Sequence, residues 1–194
     1  MTKLLFLDLE TTGLSPAKNG IHQISGSVVI NGETKESFDF KVQPNPKCVI
    51  EDEALKVAGV TREQIMLYPP MRDVYCQLID MLSKYIDKFN KNDKFFIVGY
   101  NNAAFDNNFF RGFFLQNGDQ YFGSYFWPNT LDVMVMATMY LIDKRSQMPN
   151  FKLATVAEWM GIDVSQASLH DASYDIFLTK AIFDKITTQK LVNV

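Results

Sequence analysis

KLLFLDLETTGL, residues 3–14, opens as a strand and closes as a turn. Residues 3–9 are short and apolar, and the run stops at Thr11-Thr12-Gly13, which predicts a buried β-strand. Side chains two apart along a strand share a face, so Asp8 and Glu10 stand side by side at its carboxyl end. Adjacent carboxylates repel unless a cation lies between them, and oxygen-only donors suit a hard divalent ion such as Mg²⁺ or Mn²⁺. An isolated D-x-E pair is better explained as the end of a strand and the start of a turn. Its meaning depends on what else the chain carries.

Outward from this strand, residues 21–30 and 34–42 flank Asn31-Gly32, a strong hairpin signal, so the chain opens as a three-stranded meander. Pro44 and Pro46 break it, and residues 51–57 followed by Gly59 predict a short helix. Residues 71–89 place Val74, Leu78, Ile79, Leu82 and Ile86 on one helical face. Residues 95–100 predict a buried strand, residues 104–116 an aromatic-rich helix closed by Asn117-Gly118, and residues 121–127 a last short strand. Helices are expected at 131–141, 151–160 and 171–186. This order indicates one α/β domain over residues 1–194, with a mixed sheet covered by helices.

The composition, 47% hydrophobic and 21% charged over 194 residues, is enough to bury a full core. No window approaches the roughly eighteen apolar residues of a membrane span, and the start lacks a signal peptide's cleavage site, so a cytoplasmic protein without a membrane partner is expected. Cys48 and Cys76 show no metal-ligand spacing and are expected as buried or free thiols. A net charge of −3 argues against a broad basic face for nucleic acid. A nuclease can instead meet phosphate through cations held by its own carboxylates.

Two further clusters carry chemistry. Gly99-Tyr100-Asn101-Asn102-Ala103-Ala104-Phe105-Asp106 falls at a strand-to-helix junction, where open α/β sheets commonly bind ligands. There Asn102 serves either to cap the helix or to touch a substrate, and Asp106 falls in the first helical turn. Leu169-His170-Asp171-Ala172-Ser173-Tyr174-Asp175 offers a histidine among carboxylates. Five residues apart on one helix, His170 and Asp175 point well away from each other, so they converge more readily if His170 precedes the helix. His170 is read as a general base, and Asp171 as structural. His22, without a carboxylate neighbour, is expected to be a satisfied structural histidine.

The segments FLDLETTGL, YNNAAFD and HDASYD, in this order, resemble the three motifs of the DEDDh 3′-to-5′ exonuclease family. The resemblance implies a ribonuclease H-like fold, a mixed five-stranded sheet flanked by helices. By the same resemblance Asp8, Glu10, Asp106 and Asp175 are the acidic ligands of two divalent cations, Mg²⁺ or Mn²⁺, and His170 is the histidine. Thr11, Thr12, Gly13 and Leu14 would hold the terminal nucleotide, with Asn102 and Phe105 lining the groove. Tyr100-Asn101 departs from the histidine that many members carry before the asparagine.

The activity so implied is hydrolysis of phosphodiester bonds from the 3′ end of a single strand, releasing nucleoside 5′-monophosphates by a two-metal mechanism. DNA is favoured and short RNA is the alternative, because aromatic faces hold bases without choosing among them. The competing classes are a non-catalytic nucleic-acid-binding module and an accessory of a polymerase or repair complex. The first would be betrayed by a missing ligand, and none is missing.

Overall fold

The computed structural model of the protein describes residues 1–165 and 172–190, the last two without their side chains. β1 (Lys3–Thr11), β2 (Ile21–Ile30) and β3 (Glu33–Lys41) form the antiparallel meander. Asn31 and Gly32 join the latter two at φ of 52° and 85°, left-handed geometry that suits the twist of a hairpin. β4 (Phe96–Gly99) lies parallel to β1, with Leu4 opposite Phe96 and Phe6 opposite Val98, and β5 (Leu131–Asp132) continues the sheet in parallel. The strand order β3-β2-β1-β4-β5 puts β1 at the centre.

The helices are α1 (Asp52–Val57), α2 (Arg62–Met66), α3 (Met71–Ser83), α4 (Asp106–Gln116), α5 (Phe122–Tyr125), α6 (Val133–Tyr140), α7 (Leu153–Trp159) and α8 (Ala172–Lys190), with a 3₁₀ turn at Ile142–Gln147. The pleat of β1 divides the interior. Leu5, Leu7 and Leu9 enter a core built with α3 and α4, while Leu4 and Phe6 enter a second core with α6, α7 and α8. By alternation Asp8 and Glu10 continue the second face, the side on which α8 packs.

Several expectations need correction. The helix of residues 71–89 ends at Ser83, because Asp87 and its neighbours form local turns: Phe89 N–H donates to Asp87 Oδ1, and Asp87 N–H to Asp93 Oδ2, each at 3.0 Å. Such side-chain bonds compete with helical ones. Residues 121–127 form helix α5 with a single bridge between Phe95 and Phe126. Phe122, Tyr125 and Phe126 are drawn into an aromatic cluster with Phe110 and Phe114, and that packing overrides strand propensity. α2 was not expected, although Thr61 and Gln64 form a full capping box at its start. His22 is buried on β2 with neither ring nitrogen hydrogen-bonded among the described residues. Burial and the nearby Lys41 ammonium push its pKa down to about 4, so the ring is neutral.

Candidate active site

β1, α4 and α8 bring their carboxylates to one end of the sheet. Asp106 is the first residue of α4, and its Oδ1 accepts the Leu9 N–H at 3.2 Å, tying that helix directly to β1 between Asp8 and Glu10. Asp175 lies in the first turn of α8. Burial raises the Asp8 pKa well above the carboxylate range, and the charges of Asp106, Glu10 and Asp175 raise it further. Burial, with Asp175 adding, takes Glu10 to about 7 against the opposing pull of Lys41. Burial also takes Asp106 to about 7, although its own N–H and that of Leu9 donate to the carboxylate, while Glu10 and Asp132 add repulsion.

These four acids therefore share one electrostatic neighbourhood. Such a cluster must hold protons or take up cations to relieve its repulsion. Its donors are all oxygen, which fits a hard divalent ion. Among the described residues no three acidic, histidine or cysteine side chains are gathered closely enough to cage an ion unaided. An ion that keeps several waters and borrows substrate oxygens requires no such cage. His170 and Asp171 lie outside the described residues.

The loop after β1 is braced from beneath. Thr12 is fully buried, its hydroxyl donating to Val49 O at 2.7 Å and accepting from Gly20 N–H at 2.9 Å. The Thr11 hydroxyl donates to Gly13 O at 2.8 Å. Asn19, also buried, donates to Val49 O and to Glu51 Oε1, each at 3.0 Å. Gly13 sits at φ +157°, where an added Cβ would fall 2.3 Å from Asn19 Nδ2 and 2.6 Å from Glu51 Oε1. The hydroxyls of Thr11 and Thr12 thus secure the loop internally, and Leu14 is its open side chain, 79% exposed.

The second motif is held by residues that sequence reading missed. Asp132 Oδ1 accepts the N–H of Asn101 at 3.1 Å and that of Met134 at 3.0 Å, while Oδ2 accepts Ala103 N–H at 3.2 Å. One carboxylate caps α6 and grips the loop before Asp106. Asn102, expected as a helix cap or a substrate contact, does not cap α4, whose N-cap is Phe105. It is fully buried, its amide donates to Thr130 Oγ1 at 2.8 Å, and its Oδ1 has no partner among the described residues. Phe105 is half-buried against Phe109, with ring centroids 5.0 Å apart. The signal that could have exposed Asp132 is its position just before a helical run, where aspartate commonly caps.

The sequence model of RNase_T, described as exonuclease, matches residues 5–183. The chain is 27% identical over 176 residues to a PolC-type DNA polymerase III of Mycoplasmopsis pulmonis, a match covering 91% of this chain and 11% of the polymerase. Among solved structures it is similar to E. coli exonuclease I in complex with a dT13 oligonucleotide, with a TM-score of 0.76 at 21% identity over 100% of this chain and 43% of that one. The zinc-bound form of the E. coli exonuclease I complex with single-stranded DNA gives 0.77 at 22% identity, covering 97% of this chain and 41% of that one. The chain thus spans a small part of the polymerase and under half of exonuclease I. The structural likeness establishes the ribonuclease H-like fold, a mixed five-stranded sheet flanked by helices.

Proposed function

This chain belongs to the RNase_T exonuclease family, and from that membership we propose that it acts as one domain over residues 1–194 to remove nucleotides from the 3′ end of single-stranded DNA. The observation that carries the proposal is the convergence of Asp8, Glu10, Asp106 and Asp175, from three separate elements, into one cluster of mutually repelling carboxylates. In this site they would hold two divalent cations, Mg²⁺ or Mn²⁺. When bound, such ions neutralise phosphate charge and ease formation of hydroxide from water. The backbone of Thr11, Thr12 and Gly13 and the exposed side chain of Leu14 receive the terminal nucleotide, with Asn102 and Phe105 along the groove. His170 takes the proton of the water that attacks phosphorus. The bond from phosphorus to the 3′ oxygen of the penultimate nucleotide breaks, that oxygen gains a proton, and a nucleoside 5′-monophosphate leaves.

The polymerase relative and the exonuclease I complexes with single-stranded DNA favour DNA over short RNA as the substrate. The test uses 5′-labelled DNA and RNA strands beside a covalently closed single-stranded circle. The labelled DNA should shorten one nucleotide at a time from its 3′ end, with RNA cut more slowly and the circle intact. Rapid cutting of the circle would point to an endonuclease, and inertness toward every strand would favour a binding module.

A further inference from the structure

A second surface lies at the other end of the sheet. Where Phe95 bridges Phe126 and donates its N–H to Tyr125 O at 2.9 Å, a cavity of about 300 Å³ opens between Lys88, Phe89, Asp119, Tyr121, Ser124 and Tyr125. Because β4 begins here and runs parallel to β1, the carboxylates lie at the far end of both strands. Phe89 is 86% exposed and Tyr121 74% exposed. Open aromatic faces beside a cavity are unfavourable in water and gain by being covered.

Two lysine ammonium groups stand over aromatic rings at this end of the sheet. Lys88 Nζ stands 5.4 Å from the centroid of Phe89 and 5.9 Å from that of Tyr125. Lys94 Nζ lies 5.4 Å from the Trp127 centroid. Lys88, Lys91 and Lys94 make no ion pair among the described residues. Asp119, the acid lining the cavity, is engaged by the Tyr75 hydroxyl and by Tyr121 N–H. In a chain of net charge −3, cations without acidic partners beside open rings match the phosphates and bases of a single strand.

We propose that this cavity is a second contact for the single strand, in which a base upstream of the reacting end stacks on Phe89 and Tyr121 while Lys88 and Lys94 meet the flanking phosphates. It rests on the exonuclease reading and adds the place where the body of the strand is held. From the level of Leu4 to Glu10, β1 covers about 20 Å at about 3.3 Å per residue. At the roughly 3.4 Å per nucleotide of a fully stacked strand that separation corresponds to about six nucleotides, and a more extended strand spans it with fewer. Shorter strands fill the carboxylate site alone, and longer ones reach both.

The experiment compares wild type with the double variant Phe89→Ala/Tyr121→Ala and with Lys88→Gln, on oligothymidylates well below and well above that length. For the long strand, the double variant should raise KM about tenfold, the order expected for losing a stacked base. Its kcat, and all cleavage of the short strand, should stay at wild-type values. Lys88→Gln should flatten the dependence of log affinity on log salt for the long strand by about 0.7, the share of one phosphate contact on a single strand. An unchanged KM for the long strand, or an equal loss on both lengths, would overturn the proposal. Wild-type protein that degrades neither strand would remove the exonuclease reading and this second contact with it, a result distinct from both.

Discussion

Asp8 has three other carboxylates acting on it, and that crowding separates the effect of losing it from the effect of losing His170. Asp8→Asn removes a buried carboxyl group on which three other acids act, so without metal the variant should melt higher than wild type near neutral pH. It should also lose both the thermal shift given by Mg²⁺ or Mn²⁺ and the cleavage. His170→Ala leaves all four acids in place, so the metal-induced shift and strand binding should persist. A positioned general base contributes about 10² to 10⁴ in rate, or roughly 3 to 5 kcal/mol of barrier. Single-turnover cleavage by His170→Ala should fall by that factor, and near-normal cleavage would exclude the base role. Asp8 and Glu10 were legible in the sequence because the period of a strand places them together. Neither Asp132 nor Asn19 was legible in this way, because most of their partners are brought in by other segments.

At the scale of elements, β5 is two residues long and yet anchors the second motif. Asp132→Ala leaves the N–H groups of Asn101, Ala103 and Met134 without their acceptor, which should cost about 1 to 3 kcal/mol of stability. Asp132→Asn is the more discriminating change. Its retained oxygen can still accept from Asn101 and Met134, whereas an amide NH₂ facing Ala103 N–H opposes donor to donor. The asparagine variant should therefore stay folded, with α6 capped and the loop before Asp106 loosened. A rise in KM of about tenfold with only a small fall in melting temperature would mark a positioning role. If activity and stability fell in proportion, Asp132 would be merely structural. A two-residue strand carries too little pattern to be read from sequence. The same holds for α5, which three buried aromatic neighbours, Phe110, Phe114 and Phe126, recruit from a segment with strand-like composition. The long meander and α4, in contrast, carry period and turn signals strong enough to be read directly.

The whole molecule should report its buried charges through pH. Glu10 and Asp106 have pKa values of about 7 when folded, above the ordinary carboxylate range. The folded state therefore holds protons that the unfolded chain has released, and these groups withdraw stability as pH rises from about 4 to about 7. His22 acts oppositely: its folded pKa of about 4 lies below the usual 6.5, so its contribution is lost as pH falls through that window. With more than one raised carboxylate against a single histidine, the carboxylate trend outweighs the other in the wild type. The melting temperature of the metal-free protein should decline from about pH 5 to about pH 7, and His22→Leu should make that decline steeper than in wild type. Divalent cations compete with the same protons, so their stabilising shift should grow across that range and vanish with chelator. A metal shift independent of pH would mean that the cations bind elsewhere.

The four acids come from the central strand, the start of α4 and the start of α8, so the first of them precedes the last by most of the chain. During synthesis, a ribosome-bound chain that has emerged only as far as the meander would display Asp8 and Glu10 without their counterparts. The proposed hydrolysis would thereby be withheld until α8 docks on the sheet. Under the proposed function, a chain cut or stalled before that point would leave the nucleic acids around it intact.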